Sequence, residues 1–166
     1  MKLWGLLTAN QLKQPKKQIV VDTTAGKKIK GRKRHLIVDT LGLVIEAMVH
    51  TAGIQDRVGG KYLVNKAKMN QATFHKGYAD GGYLGKFLES AKQAWKVDFE
   101  VVKRNELHKF VVLPKRWIVE RTNSWLLRSR RLAKDFERHA STVRNWIFLV
   151  MIRLMVRRIE KEYATC

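Results

Sequence analysis

The chain is 166 residues long and 45% hydrophobic, which is enough for one domain with a buried core and too apolar for a disordered one. Lys and Arg number 34 against 14 Asp and Glu, a formal net charge of +20. An excess of that size repels itself in a compact fold and implies a polyanionic partner, nucleic acid first and an anionic membrane surface second.

The single cysteine, Cys166, leaves no internal disulfide and no CxxC metal motif, as fits a reducing cytoplasm. The apolar patch near the start is too short for a signal peptide. The most apolar run, WIFLVMI at Trp146–Ile152, is far short of the roughly 18 residues of a membrane span, so no membrane role is expected.

In chain order, LWGLL (Leu3–Leu7) reads as a short buried strand, followed by the polar connector NQLKQPKKQ. GKKIKGRKRH (Gly26–His35) reads as a basic loop. HLIVD (His35–Asp39) and LVIEAMV (Leu43–Val49) are rich in β-branched residues and flank TLG, the pattern of a hairpin. DRVGGKYLVNKAK (Asp56–Lys68) has helical spacing through Val58, Tyr62, Leu63 and Val64, weakened by Gly59 and Gly60. ATFHKGYA (Ala72–Ala79) is a strand running into Asp80.

YLGKFLESAKQAW (Tyr83–Trp95) puts Leu84, Phe87, Leu88, Ala91 and Trp95 on one helical face, and VDFEVVKR (Val97–Arg104) alternates like a strand. FVVLP is a short apolar stretch stopped by Pro114. Lys115–His139 reads as a long arginine-rich helix with a break, and a final helix starts at an N-cap on Ser141 or Thr142. No repeat or low-complexity linker divides the chain, so one α/β domain over residues 1–166 with helices at its C-terminal end is expected.

Chemistry-bearing residues are few. In KGYADGGYLG, Asp80 ends an apolar run and is followed directly by two glycines. Open α/β sheets place ligands at such strand ends, and glycines there clear the approach of a phosphate and permit positive φ. The same dipeptide also marks a plain turn. Glu120 lies among Arg116, Arg121, Arg128, Arg130 and Arg131, with Arg116 its i−4 neighbour on a helix. Either it is a surface ion pair, or it is a metal-binding glutamate on a helix whose arginines hold phosphates.

Lys27, Lys28, Lys30, Arg32, Lys33 and Arg34 form a basic run without an intervening acid, suited to sequence-independent contact with a DNA backbone. Arg128, Arg130, Arg131 and Lys134 form a second such patch. The histidines His35, His50, His75, His108 and His139 show no metal-ligand spacing and none is assigned a role. No P-loop and no nucleophile elbow is present.

The segments GKKIKGRKRHLIVDTLGLV, IQDR, YADGGYLGK, FVVLPKRWIVERTNSWLLRSRRLAKDFER and MIRLMVRRI occur in this order from about Gly26 to Ile159. Together they resemble the catalytic domain of bacterial DDE transposases, in particular the group named after insertion sequence five. The resemblance implies a ribonuclease-H-like mixed sheet flanked by helices, acting on double-stranded DNA at transposon ends and target. It implies a two-metal centre of Mg2+ or Mn2+ for strand cleavage and transfer.

Asp80 in ADGGY matches the family's second aspartate, and Glu120 in WIVERT its glutamate. Both are thus candidate catalytic and metal-binding residues. Arg116, Arg121, Arg128, Arg130, Arg131 and Lys134, with the Lys27–Arg34 cations, are candidate DNA contacts. The bacterial cytoplasm, on the nucleoid, is the expected location, and a homo-oligomer stays open.

Two departures from the family pattern stand out. Counting back from the basic run, Thr8 occupies the position of the first aspartate, with Asp22 and Asp39 the nearest alternatives. An N-terminal end-recognition region is expected to be missing. Two cations about 4 Å apart repel, and bridging carboxylates offset that repulsion; a threonine hydroxyl does not. Impaired cleavage is therefore expected. The alternatives are a catalytically inactive DNA-binding remnant of the same fold and a small basic RNA-binding protein of ribosomal type.

Overall fold

The computed structural model describes residues 3–13, 31–102 and 116–164. Five strands form one sheet in the order β3-β2-β1-β4-β5, where β1 is Leu3–Lys13, β2 Gly31–Val38, β3 Val44–Thr51, β4 Phe74–Asp80 and β5 Asp98–Val102. β1, β2 and β3 run antiparallel, while β4 lies parallel to β1 and β5 parallel to β4. α1 (Asp56–Asn70) connects β3 to β4, and α2 (Lys86–Trp95) connects β4 to β5. α3 (Arg116–Leu127), the single turn α4 (Arg130–Ala133) and α5 (Ala140–Tyr163) follow.

Helices cover both faces of the sheet, and strand alternation decides which residue meets which helix. On β2, Leu36 and Val38 join Ile118, Val119 and Leu126 of α3 and Val143, Ile147 and Met151 of α5 in one core. Ile37 points the other way, into a second core with Leu63, Val64 and Ala67 of α1 and Phe87 and Ala91 of α2. Three aromatics tie β4, β5 and α2 together: Phe99 meets Phe74 edge-on at 5.9 Å and Phe87 at 5.7 Å between ring centroids.

The hairpin between β2 and β3 is fixed by Asp39, whose Oδ1 accepts from Leu41 N at 2.9 Å and Leu43 N at 2.8 Å. Gly42 completes the turn at φ +82°, where a side chain would be strained. A Cβ there would also stand 2.8 Å from Thr122 Oγ1, which donates to Gly42 O and so docks α3 on the hairpin. At the outer edge of the sheet, Arg144 of α5 donates to Ala47 O at 3.0 Å and to Glu46 Oε1 at 2.7 Å.

Several elements differ from the sequence reading. β1 runs on through Thr8 to Lys13, and β2 begins at Gly31, inside the stretch read as a basic loop. The break expected in the long helix falls after Leu127, and the chain turns helical again after Ser129, whose extended backbone precedes α4. α5 starts two or three residues earlier than expected, with His139 at the N-cap position instead of Ser141 or Thr142, and with no side-chain cap.

In α1 the expected apolar face is rotated: Val58 and Tyr62 are exposed, while Gly59 and Gly60 are buried beside Leu63 and Val64. The FVVLP stretch, Lys27, Lys28, Lys30 and Asp22 lie outside the described residues.

Candidate active site

β1 and β4 position the first two candidate residues. Leu7 of β1 is paired with Ala79 of β4, so the next residues along, Thr8 and Asp80, are neighbours on adjoining parallel strands. Leu7 and Ala79 belong to the core under α1 and α2, whereas Tyr78 packs against the core under α3 and α5. Alternation assigns positions 8 and 80 to that second face. Across the other side of β1, Thr8 pairs with Leu36, itself a member of the α3–α5 core. Glu120 sits on α3, the helix on this face, exposed and directly after the buried Val119.

Asp80 is exposed and closes its own turn: Oδ1 accepts from Gly82 N at 2.8 Å and caps the single 3-10 turn Gly81–Tyr83. Gly81 opens onto free space, while a Cβ on Gly82 would meet Asp80 Oδ1 at 3.1 Å and Asp56 Oδ2 at 3.3 Å. Neither glycine has positive φ; that conformation falls on Gly85 instead. Gly82 therefore lies between two carboxylates, Asp80 and Asp56. Asp56, the first residue of α1, was given no role in the sequence reading, and it is ion-paired to Lys33 at 3.0 Å.

A buried polar chain runs beneath this corner. Tyr83 OH and His35 Nδ1 are 2.7 Å apart, His35 Nε2 and His50 Nε2 2.6 Å, and His50 Nδ1 and Thr51 O 2.7 Å. Thr51 O only accepts, so His50 carries its proton on Nδ1 and accepts at Nε2. His35 then donates from Nε2 and accepts the Tyr83 hydroxyl at Nδ1. Every group is satisfied when both imidazoles are neutral.

Burial, reinforced by neighbouring positive charge, pushes His35 down to about 4, against an opposing pull from Asp56. Burial also lowers His50 and raises Tyr83 above the usual phenol range. Helix α1 can cover the pair only through Gly59, where a Cβ would lie 2.5 Å from His50 Nε2 and 2.8 Å from His35 Nε2. Spacing of 15 residues in sequence gave no sign of the pairing; it arises from the β2–β3 register, in which Lys33 opposes His50 and His35 opposes Met48.

The described residues contain no group of three His, Cys, Asp or Glu side chains arranged to hold a metal ion. Position 8 supplies a neutral hydroxyl beside Asp80, and the nearby Asp56 is engaged by Lys33. This donor set does not fit a two-cation centre. Asp39 is no substitute for the first aspartate: it lies beyond Val38, which pairs with Leu6, and one of its oxygens is used by two backbone amides of the hairpin.

The candidate DNA contacts divide. Lys33 and Arg34 are buried, 7% and 1% exposed, and so are internal groups and not outward DNA contacts. Lys33 donates to Ile54 O and faces Asp56; Arg34 donates to Leu132 O and lies by Asp135, with burial lowering it to about 10. Arg32 joins them, bonded to Asp135 at 3.3 Å and to Arg138 O at 2.6 Å. Strand alternation sends Arg32 and Arg34 under α4 and Lys33 under α1, so these three, the described cations of the run, do not present one outward patch.

Arg121 is likewise clamped, donating to Leu41 O and stacked by Trp117 at 4.5 Å and Trp125 at 4.9 Å. Arg128, Arg130, Arg131 and Lys134 are exposed, with Arg131 paired to Glu137. The Arg116 side chain lies outside the described residues.

The mixed five-stranded sheet with helices on both faces is a ribonuclease-H-like fold of the integrase and transposase type. A chain in the cryo-EM structure of the simian T-cell lymphotropic virus intasome in complex with PP2A regulatory subunit B56 gamma superposes with a TM-score of 0.59 at 13% identity, covering 90% of this chain and 47% of the other. The protein thus spans about half the length of the solved chain it matches. Curated proteins give no match. The transposase DDE domain family matches over residues 8–155, and the chain belongs to it. Its match begins at Thr8. Members of that family generally use divalent metals.

Proposed function

We propose that this chain is the DNA-cleaving and strand-transferring domain of an insertion-sequence transposase, of the insertion-sequence-five group. In this reading its chemistry is impaired by threonine at the first acidic position. Asp80 and Glu120 are the remaining metal-binding acids, double-stranded DNA is the substrate, and the bacterial cytoplasm is the site of action. The observation behind the reading is the β1–β4 register, in which Leu7 and Ala79, the residues before Thr8 and Asp80, are paired. A carboxylate at position 8 would stand beside Asp80 and bridge two cations; a hydroxyl lacks the charge to do so.

The test is cleavage and joining of insertion-sequence-end DNA with Mg2+ or Mn2+, comparing the unmodified chain with Thr8→Asp. Background activity in the former and gain in the latter are expected. Robust cleavage by the unmodified chain would show that position 8 does not hold the first acid. Asp80→Ala and Glu120→Ala should abolish the gained activity while leaving DNA affinity equal or slightly higher, since each removes a negative charge.

A further inference from the structure

The end of α3 and the second half of α5 enclose a groove of about 670 Å³. Arg128, Arg153, Arg157, Arg158 and Lys161 line it against one acid, Glu160. Only Arg128 of these belongs to a basic cluster evident in the sequence. Trp125 forms part of the wall, with Arg158 stacked on its ring at 4.7 Å and Arg121 at 4.9 Å. The stacking fixes Arg158 as part of the wall and leaves Arg128, Arg153 and Arg157, all exposed, to face an incoming ligand.

On α5, Arg153, Arg157 and Lys161 recur every four residues, so they share a face and stand about 6 Å apart along the axis. That separation is of the order of the distance between successive phosphates on one strand. A single small anion would engage one or two of these groups, whereas a row of about 12 Å suits a continuous backbone. Successive cations in this concavity lie within a screening length of about 8 Å of each other, which is unfavourable in a chain already at +20. A polyanion in the groove removes that repulsion.

We propose that this groove binds the phosphate backbone of duplex DNA, independently of sequence, through Arg128, Arg153, Arg157 and Lys161. The assignment rests on the reading of the chain as a DNA-processing domain, but it uses none of the candidate catalytic residues. It is tested by binding of the full chain to a labelled duplex over a range of salt. The unmodified chain is compared with Arg128→Gln/Arg153→Gln/Arg157→Gln, with Glu160→Gln, and with the control Lys86→Gln/Lys92→Gln on α2, each checked for native circular dichroism.

The triple variant should lose affinity by about tenfold or more, and its salt slope should fall by about three, one per lost phosphate contact. Glu160→Gln should bind more tightly, and the α2 control should stay within about twofold of the unmodified chain, as expected for positions outside the contact. Unchanged affinity and slope in the triple variant, while the unmodified chain binds, would overturn the groove and leave the transposase reading intact. No duplex binding by the unmodified chain would overturn both. Groove-dependent binding to anionic phospholipid vesicles without duplex binding would overturn the nucleic-acid assignment.

Discussion

Acidification should unlock the histidine pair under α1, and the loss of stability can be sized. In an unfolded chain both imidazoles titrate near about 6.5. In the fold burial is the main influence on His35, which is fully buried and drops to about 4. The native state therefore stays neutral while the unfolded state takes up protons, so stability falls as pH drops below about 6.5 and levels off near 4. A displacement from 6.5 to about 4 corresponds to about 3 kcal/mol from His35. His50 acts in the same direction.

The bonding pattern gives the same sign: a proton on His50 Nε2 would face the proton that His35 already donates across 2.6 Å. Lys33 also disfavours the charge, and Asp56 partly offsets it. Urea midpoints between about pH 7.5 and 4, at constant m-value, measure the effect. His35→Gln should remove most of the pH dependence in this window. A flat profile for the unmodified chain, or an undiminished one in His35→Gln, would refute the neutral-pair assignment.

Gly59→Ala gains about 1 kcal/mol of helix propensity but drives a methyl group into the histidine pair. Overpacking and the broken hydrogen bond should outweigh the gain, for a net loss of about 2 kcal/mol in chemical denaturation. Asp135→Ala takes the buried carboxylate from Arg32, its partner at 3.3 Å, and removes the charge that attracts the buried Arg34; it should cost about 3–5 kcal/mol by the same measurement, since one partner of a buried pair is removed.

The hairpin was legible because HLIVD and LVIEAMV hold β-branched residues on both sides of a short turn. Asp80 at the end of its strand and Glu120 on a helix were legible for the same kind of reason. A run of cations, by contrast, does not reveal that Arg32 and Arg34 turn under α4 while Lys33 turns under α1. The partners of Arg32 and Arg34, Asp135, Arg138 and Leu132, lie about a hundred residues away. Gly59 and Gly60 looked like flaws in a helix because the sequence does not show what occupies the space left by their missing side chains. His50 stands over one and Tyr83 over the other. A break in the arginine-rich helix was expected, but no proline or glycine fixes its place at Ser129, and the cations of α5 form a groove only once α3 folds back beside them.

Arg144 gives the sheet a guarded rim. β3 is an outer strand, and its Ala47 carbonyl is already taken by a guanidinium that Glu46 holds in place. A foreign strand pairing along β3 would have to expel a charged side chain from a satisfied site, so one residue of a helix guards this edge of the sheet against aggregation.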